Sequence, residues 1–134
     1  MLLILRNSDK IREPCVADSV VCAEIPDPTA DPLLHQIVSE CMIHGPCGQQ
    51  NLRSPCMDAG KCTKNFPKEY CNETVMSVNG YPQYRRRNDG ATVLKNGFYV
   101  DNQWVVPYNK YLSKKYKAHI NVEICSTINS VKYL

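Results

Sequence analysis

His44-Gly-Pro-Cys47, Ser54-Pro-Cys56 and Gly60-Lys-Cys62 punctuate the stretch 44–62, so ligand-type residues run His, Cys, Cys, Cys with gaps of two, eight and five residues. A closed structural zinc site takes four nitrogen or thiolate ligands in a tetrahedron, and short Cys/His spacings broken by Gly and Pro let the backbone curl around one ion. The spacing is not that of a regular zinc finger. Cys41 and Cys71 flank the cluster as alternative ligands, and the competing reading makes these cysteines buried hydrophobes or disulfide partners. The reading adopted is a structural zinc site on His44, Cys47, Cys56 and Cys62, inside an insertion spanning 41–71.

Working outward, the 134 residues read as one domain over 1–134. Met1-Leu-Leu-Ile-Leu5 is too short for a secretory signal, and no run approaches the roughly twenty apolar residues of a membrane span. No membrane is expected, and a reducing compartment, taken as nuclear, favours metal over disulfides. Charge is uneven. Residues 1–34 hold three basic and six acidic residues, against thirteen and seven in 35–134. The basic part includes Arg85-Arg86-Arg87 and the lysines of 110–117, which suits a polyanionic partner.

Met1 to Leu5 reads as a strand buried on both faces, residues 6–14 as a loop, and Ser19 to Ile25 as a second strand. Asp31-Pro32 marks a helix start, with Leu33, Leu34, Ile37, Val38, Cys41 and Met42 at helical spacing and Gly45-Pro46 as the stop. Further strands are expected over 81–87, with an Asn88-Asp89-Gly90 turn, over 92–94 and 98–100 around Lys95-Asn-Gly97, and over 103–106. A short helix capped by Asn109 follows, then an alternating strand over 119–125 and a final helix from Ser126 carrying Ile128, Val131 and Tyr133. The fold class is therefore α+β: a mostly antiparallel sheet with flanking helices and an inserted Cys-rich zinc knuckle. No phosphate-binding loop, nucleophile elbow or His-Glu-x-x-His helix occurs.

Laid out in order, Ala23-Glu-Ile-Pro-Asp-Pro28, Met42-Ile-His-Gly-Pro-Cys-Gly48, Lys64-Asn-Phe-Pro-Lys68, Gly80-Tyr-Pro-Gln-Tyr-Arg-Arg-Arg87, Asp101-Asn-Gln-Trp-Val-Val-Pro-Tyr-Asn109, His119-Ile-Asn-Val-Glu-Ile-Cys125 and Val131-Lys-Tyr-Leu134 resemble a Helitron transposase over nearly the whole chain. The resemblance implies a rolling-circle replication-initiator nuclease fold, coupled in the family to a DNA helicase. It implies nicking and joining of single-stranded DNA through a tyrosine–phosphate intermediate, with a His-x-His pair holding magnesium or manganese. In the family that pair would precede Met1, and Tyr133-Leu134 matches only the beginning of the two-tyrosine motif. Both ends thus read as cuts, with the catalytic metal site, second tyrosine and helicase missing. Tyr133 is the nucleophile-equivalent position, and a phenol of pKa ~10 needs a metal or base to attack a phosphate. The expectation is single-stranded DNA binding at most, with no autonomous nicking. The alternatives are a transposon relic or a zinc-stabilised interaction module. Arg85, Arg86, Arg87, Lys114, Lys115 and Lys117 are the candidate phosphate contacts. Tyr81, Tyr84 and Trp104 are candidates for stacking unpaired bases, with core positions and a solvated arginine hairpin as the competing reading. Of the two tyrosines, Tyr84 is the better candidate for burial.

Overall fold

A computed structural model describes residues 1–77 and 80–125. The Asp31 carboxylate accepts a hydrogen bond from the Leu34 amide at 3.2 Å, and Pro32, whose missing N–H has no partner to lose there, opens a helix over Pro32–Cys41. This helix (α2) turns Leu34, Ile37 and Val38 inward. Lys95 places its ammonium on the Ser39 and Glu40 carbonyls, at 3.1 and 2.7 Å, where the helix exposes unpaired acceptors.

From Met42 the chain runs extended. Ile43 pairs antiparallel with Val105, and Cys22 with Tyr108, as isolated bridges. These bonds bring segments 22–25, 42–44 and 104–108 together beneath α2. Their side chains, with Val93 and Val100, form the main core, and Val21, Ala23 and Tyr84 form a smaller one beside it.

Two hairpins complete the frame. Met57–Asp58 (β1) pairs with Lys61–Cys62 (β2), and Val93–Lys95 (β3) with Phe98–Val100 (β4), both antiparallel. Each closes through two residues of positive φ, Ala59 and Gly60 in the first and Asn96 and Gly97 in the second. Two left-handed residues give a turn whose twist matches the strands. A further helix (α3) spans Lys110–Tyr116, with the Asn109 side chain accepting from the Leu112 amide as expected. It packs against α2.

Among the described residues the architecture is mixed α+β, with three helices and two small antiparallel sheets. Several expected strands take other forms. Met1 to Leu5 is exposed and pairs with no strand among the described residues: an apolar run supplies side chains for a strand but no neighbouring ladder. Pro14 is not the end of a loop but the first residue of helix α1, Pro14–Val20, which absorbs the start of the expected second strand. Segment 81–87 pairs backwards, Arg86 with Cys71 and Gln83 with Val75, not forwards across Asn88-Asp89-Gly90. There the Asp89 carboxylate accepts from the Ala91 amide and the Asn102 side chain, so the turn is bound to the interior. Asp101 caps a 3-10 turn over Asn102–Trp104, replacing the start of the strand expected at 103–106. Residues 119–125 make no ladder with any of the described residues. Their amides reach outward to Pro107 O from Val122 and to the Tyr84 hydroxyl from Ile124. The final helix expected from Ser126, and Tyr133 with it, lie outside the described residues. No helix among the described residues is long and apolar enough to cross a membrane.

Candidate metal centre

Three pieces of local structure deliver the four ligand-type residues. The Ile43–Val105 bridge and the bond from the His44 amide to Trp104 O (2.8 Å) fix the backbone at His44. Its ring stacks on Phe66, with centroids 4.2 Å apart and planes 11° off parallel, and lies 6.4 Å from the near-parallel indole of Trp104. Gly45-Pro46 then turns the chain so that Cys47 is buried in the core. The first hairpin supplies the other two. Cys56 immediately precedes β1, Cys62 ends β2, and Thr63 donates from both its amide and its hydroxyl to Cys56 O at 2.8 and 3.0 Å.

One ligand atom from each of His44, Cys47, Cys56 and Cys62 lies within 4.8 Å of all the others. The imidazole presents Nε2 to the cluster, 3.5 Å from Cys62 Sγ. Tetrahedral sulfurs about 2.3 Å from zinc stand roughly 3.8 Å apart, a spacing comparable to that of the four atoms here. Cys41 and Cys71 are not in this group; their thiols point to the carbonyls of Lys117 and Glu73. All eight cysteines are free thiols.

The electrostatics suit a cation. Burial and the neighbouring sulfurs of Cys56 and Cys62 push the Cys47 thiol up to about 12. Burial also acts to raise Cys62, but the amides of Phe66 and Lys64 beside its sulfur more than offset that and bring it below the ordinary thiol range. Burial, then the charges of Lys68 and Lys64, lower His44, which favours the neutral imidazole a metal requires. Several thiolates this close repel one another until a cation joins them, and three sulfurs with one imidazole form a closed donor set of the structural type. The four residues could hold a metal such as zinc.

The expected DNA contacts are distributed differently. Arg86 is 4 % exposed, and its Nη1 donates to the carbonyls of Ala23, Asn102 and Val105. Three backbone segments converge on it, so it is an interior tie, not a phosphate contact; the desolvation lowers it to about 10. Arg87 grips Glu24 with Nε and Nη2 at 2.9 and 2.8 Å, and Arg85 lies 3.5 Å from the same carboxylate and 4.0 Å from Asp18. The arginines are therefore not a solvated hairpin. Lys114 pairs with Asp31 at 2.5 Å, Lys115 lies over the rings of Tyr111 and Tyr116, and Lys117 ends α3 in the left-handed region with its side chain exposed. Tyr84 and Trp104 are buried, so neither offers a face to an incoming base; Tyr81 is partly exposed.

Sequence reasoning passed over Phe66, Lys68, Glu24 and Glu123. Only the Asn65-Phe-Pro-Lys68 run following the cysteines was a local signal for the first two. No protein-family model matches the chain, and no curated protein matches it.

Proposed function

We propose that the chain is a zinc-organised, single-stranded-DNA-binding part of a Helitron-type replication-initiator region. The convergence of four ligand atoms within 4.8 Å carries the zinc half of this reading. Bound zinc would lock His44, Cys47 and the β1–β2 hairpin together, supplying structure and not chemistry. The DNA half is supported by the ordered motifs that resemble the family and by the positive balance of residues 35–134. Tyr133 keeps its role as nucleophile-equivalent by resemblance alone.

A second reading, a zinc-stabilised protein-interaction module, is favoured by the internal engagement of Arg86 and Arg87. Fluorescence anisotropy of labelled single-stranded DNA with zinc-loaded protein separates the two. Binding that weakens with salt and vanishes on chelation fits the DNA reading, because phosphate contacts release counterions. A folded, zinc-bearing chain that binds no DNA fits the second.

A further inference from the structure

Beside the metal centre, and sharing His44 and Cys56 with it, lies a cleft of about 1120 Å³. Its lining is of three kinds. Phe66 and four prolines give flat apolar surface. Arg86, Lys68 and Glu123 are buried or half-buried charges, and among the described residues Glu123 makes no ion pair with either cation. Lys64 and Asn121 are exposed.

This combination restricts the ligand. A bare phosphate or small polycarboxylate would meet Glu123 as a like charge. Arg86 is already held by carbonyls, but a wholly apolar ligand would cover the half-buried Lys68 ammonium and Glu123 carboxyl and cut them off from water without matching either charge. A nucleobase answers both demands, because its faces are flat and apolar while its edge carries N–H donors beside carbonyl or ring-nitrogen acceptors. The Tyr84 hydroxyl and the Asn121 side chain stand in hydrogen-bonding reach of the Glu123 carboxyl and orient it. Burial raises that carboxyl above the ordinary carboxylate range.

The geometry points to this cleft as a subsite for one unpaired nucleotide, with Glu123, Asn121 and Lys68 meeting the base edge and Lys64 the adjoining phosphate. The metal centre holds the cleft in shape. Segment 63–68 leaves Cys62 directly and is fastened at its far end by the Lys68 amide to Gln103 O and the Gln103 side chain to Lys68 O. The inference rests on the single-stranded DNA reading above and specifies where on the molecule it operates.

The test compares zinc-loaded wild type, Lys64→Glu with Asn121→Ala, and the charge-matched control Lys10→Glu, titrated into labelled single-stranded DNA. Lys64, Asn121 and Lys10 are all exposed, so the variants should retain the fold, which zinc content and thermal melting check. The expected result is affinity roughly tenfold weaker for the cleft variant and little changed for the control. Ultraviolet crosslinking of wild type to a strand bearing iodouracil should mark segments 63–68 or 119–124. Competition by a free mononucleotide would identify the ligand as a nucleotide in solution; no competition would identify a strand. Wild type that binds strands while the cleft variant binds equally well, or crosslinks confined to α3, overturns the subsite and leaves the DNA reading on another surface. Wild type that binds no strand removes both.

Discussion

The Nε2 of His44 and the Sγ of Cys62 lie 3.5 Å apart although they are eighteen positions apart in the chain. That is hydrogen-bonding distance for a thiol and an imidazole, and the same two atoms, with the sulfurs of Cys47 and Cys56, could hold a shared cation. Without one, Cys47 holds its proton until about pH 12, so metal entry must expel it. Zinc addition in weak buffer should therefore release protons, and apparent affinity should rise with pH across the neutral range. A pH-indicator titration measures both. Affinity that stays flat with pH would contradict thiolate ligation.

Arg86→Ala should destabilise the chain by about 3–5 kcal/mol, because it removes the buried donor that the carbonyls of Ala23, Asn102 and Val105 share. Arg85→Ala, which removes a half-exposed partner of Asp18 and Glu24, should cost about 1 kcal/mol or less. Urea unfolding distinguishes the two. Equal losses would mean that Arg86 is a surface group.

Glu24 links stability to acid. Burial acts to raise its carboxyl, but the side-chain and backbone hydrogen bonds from Arg87, with the charges of Arg87 and Arg85, outweigh that and bring it below 4.5. A group depressed in the fold contributes stability above its unfolded value, and loses that contribution as pH falls through the folded one. Stability should hold near neutrality and decline below about pH 4.5, with a shallower decline in Glu24→Gln. Melting temperature against pH for both proteins measures this, and parallel profiles would exclude Glu24 as the source.

The first hairpin contains a correctable strain. Ala59 adopts φ 47°, a region that costs a residue with a Cβ about 1–2 kcal/mol. Ala59→Gly should then be neutral or stabilising by up to about 1 kcal/mol, the reverse of the usual cost of glycine. Gly97→Ala in the second hairpin, at φ 83°, should lose about 1 kcal/mol or more. Thermal melts of zinc-loaded protein report both signs.

What could be read from the sequence was local. Asp31-Pro32, Asn109 and Lys95-Asn-Gly97 specify caps and a turn through their own side chains and φ preferences, and each forms where expected. The metal cluster was legible for the same reason, since His, Cys, Gly and Pro lie close in the chain. Strand pairing was not. Met1 to Leu5 and 119–125 have the apolar content of strands, but a ladder needs a partner that no local pattern names. Arg86 is the clearest case. It sits in a run of three arginines that reads as surface charge, and only the meeting of residues 23, 102 and 105 around its guanidinium makes it an interior residue.

The most direct test of the central claim is native mass spectrometry of the purified chain, with and without chelator, alongside a thermal melt. One zinc per chain is predicted, absent in Cys62→Ser, with removal of the metal abolishing the cooperative melt. A chain that carries no zinc, or that melts identically after losing it, would contradict the claim that His44, Cys47, Cys56 and Cys62 organise this fold around a metal.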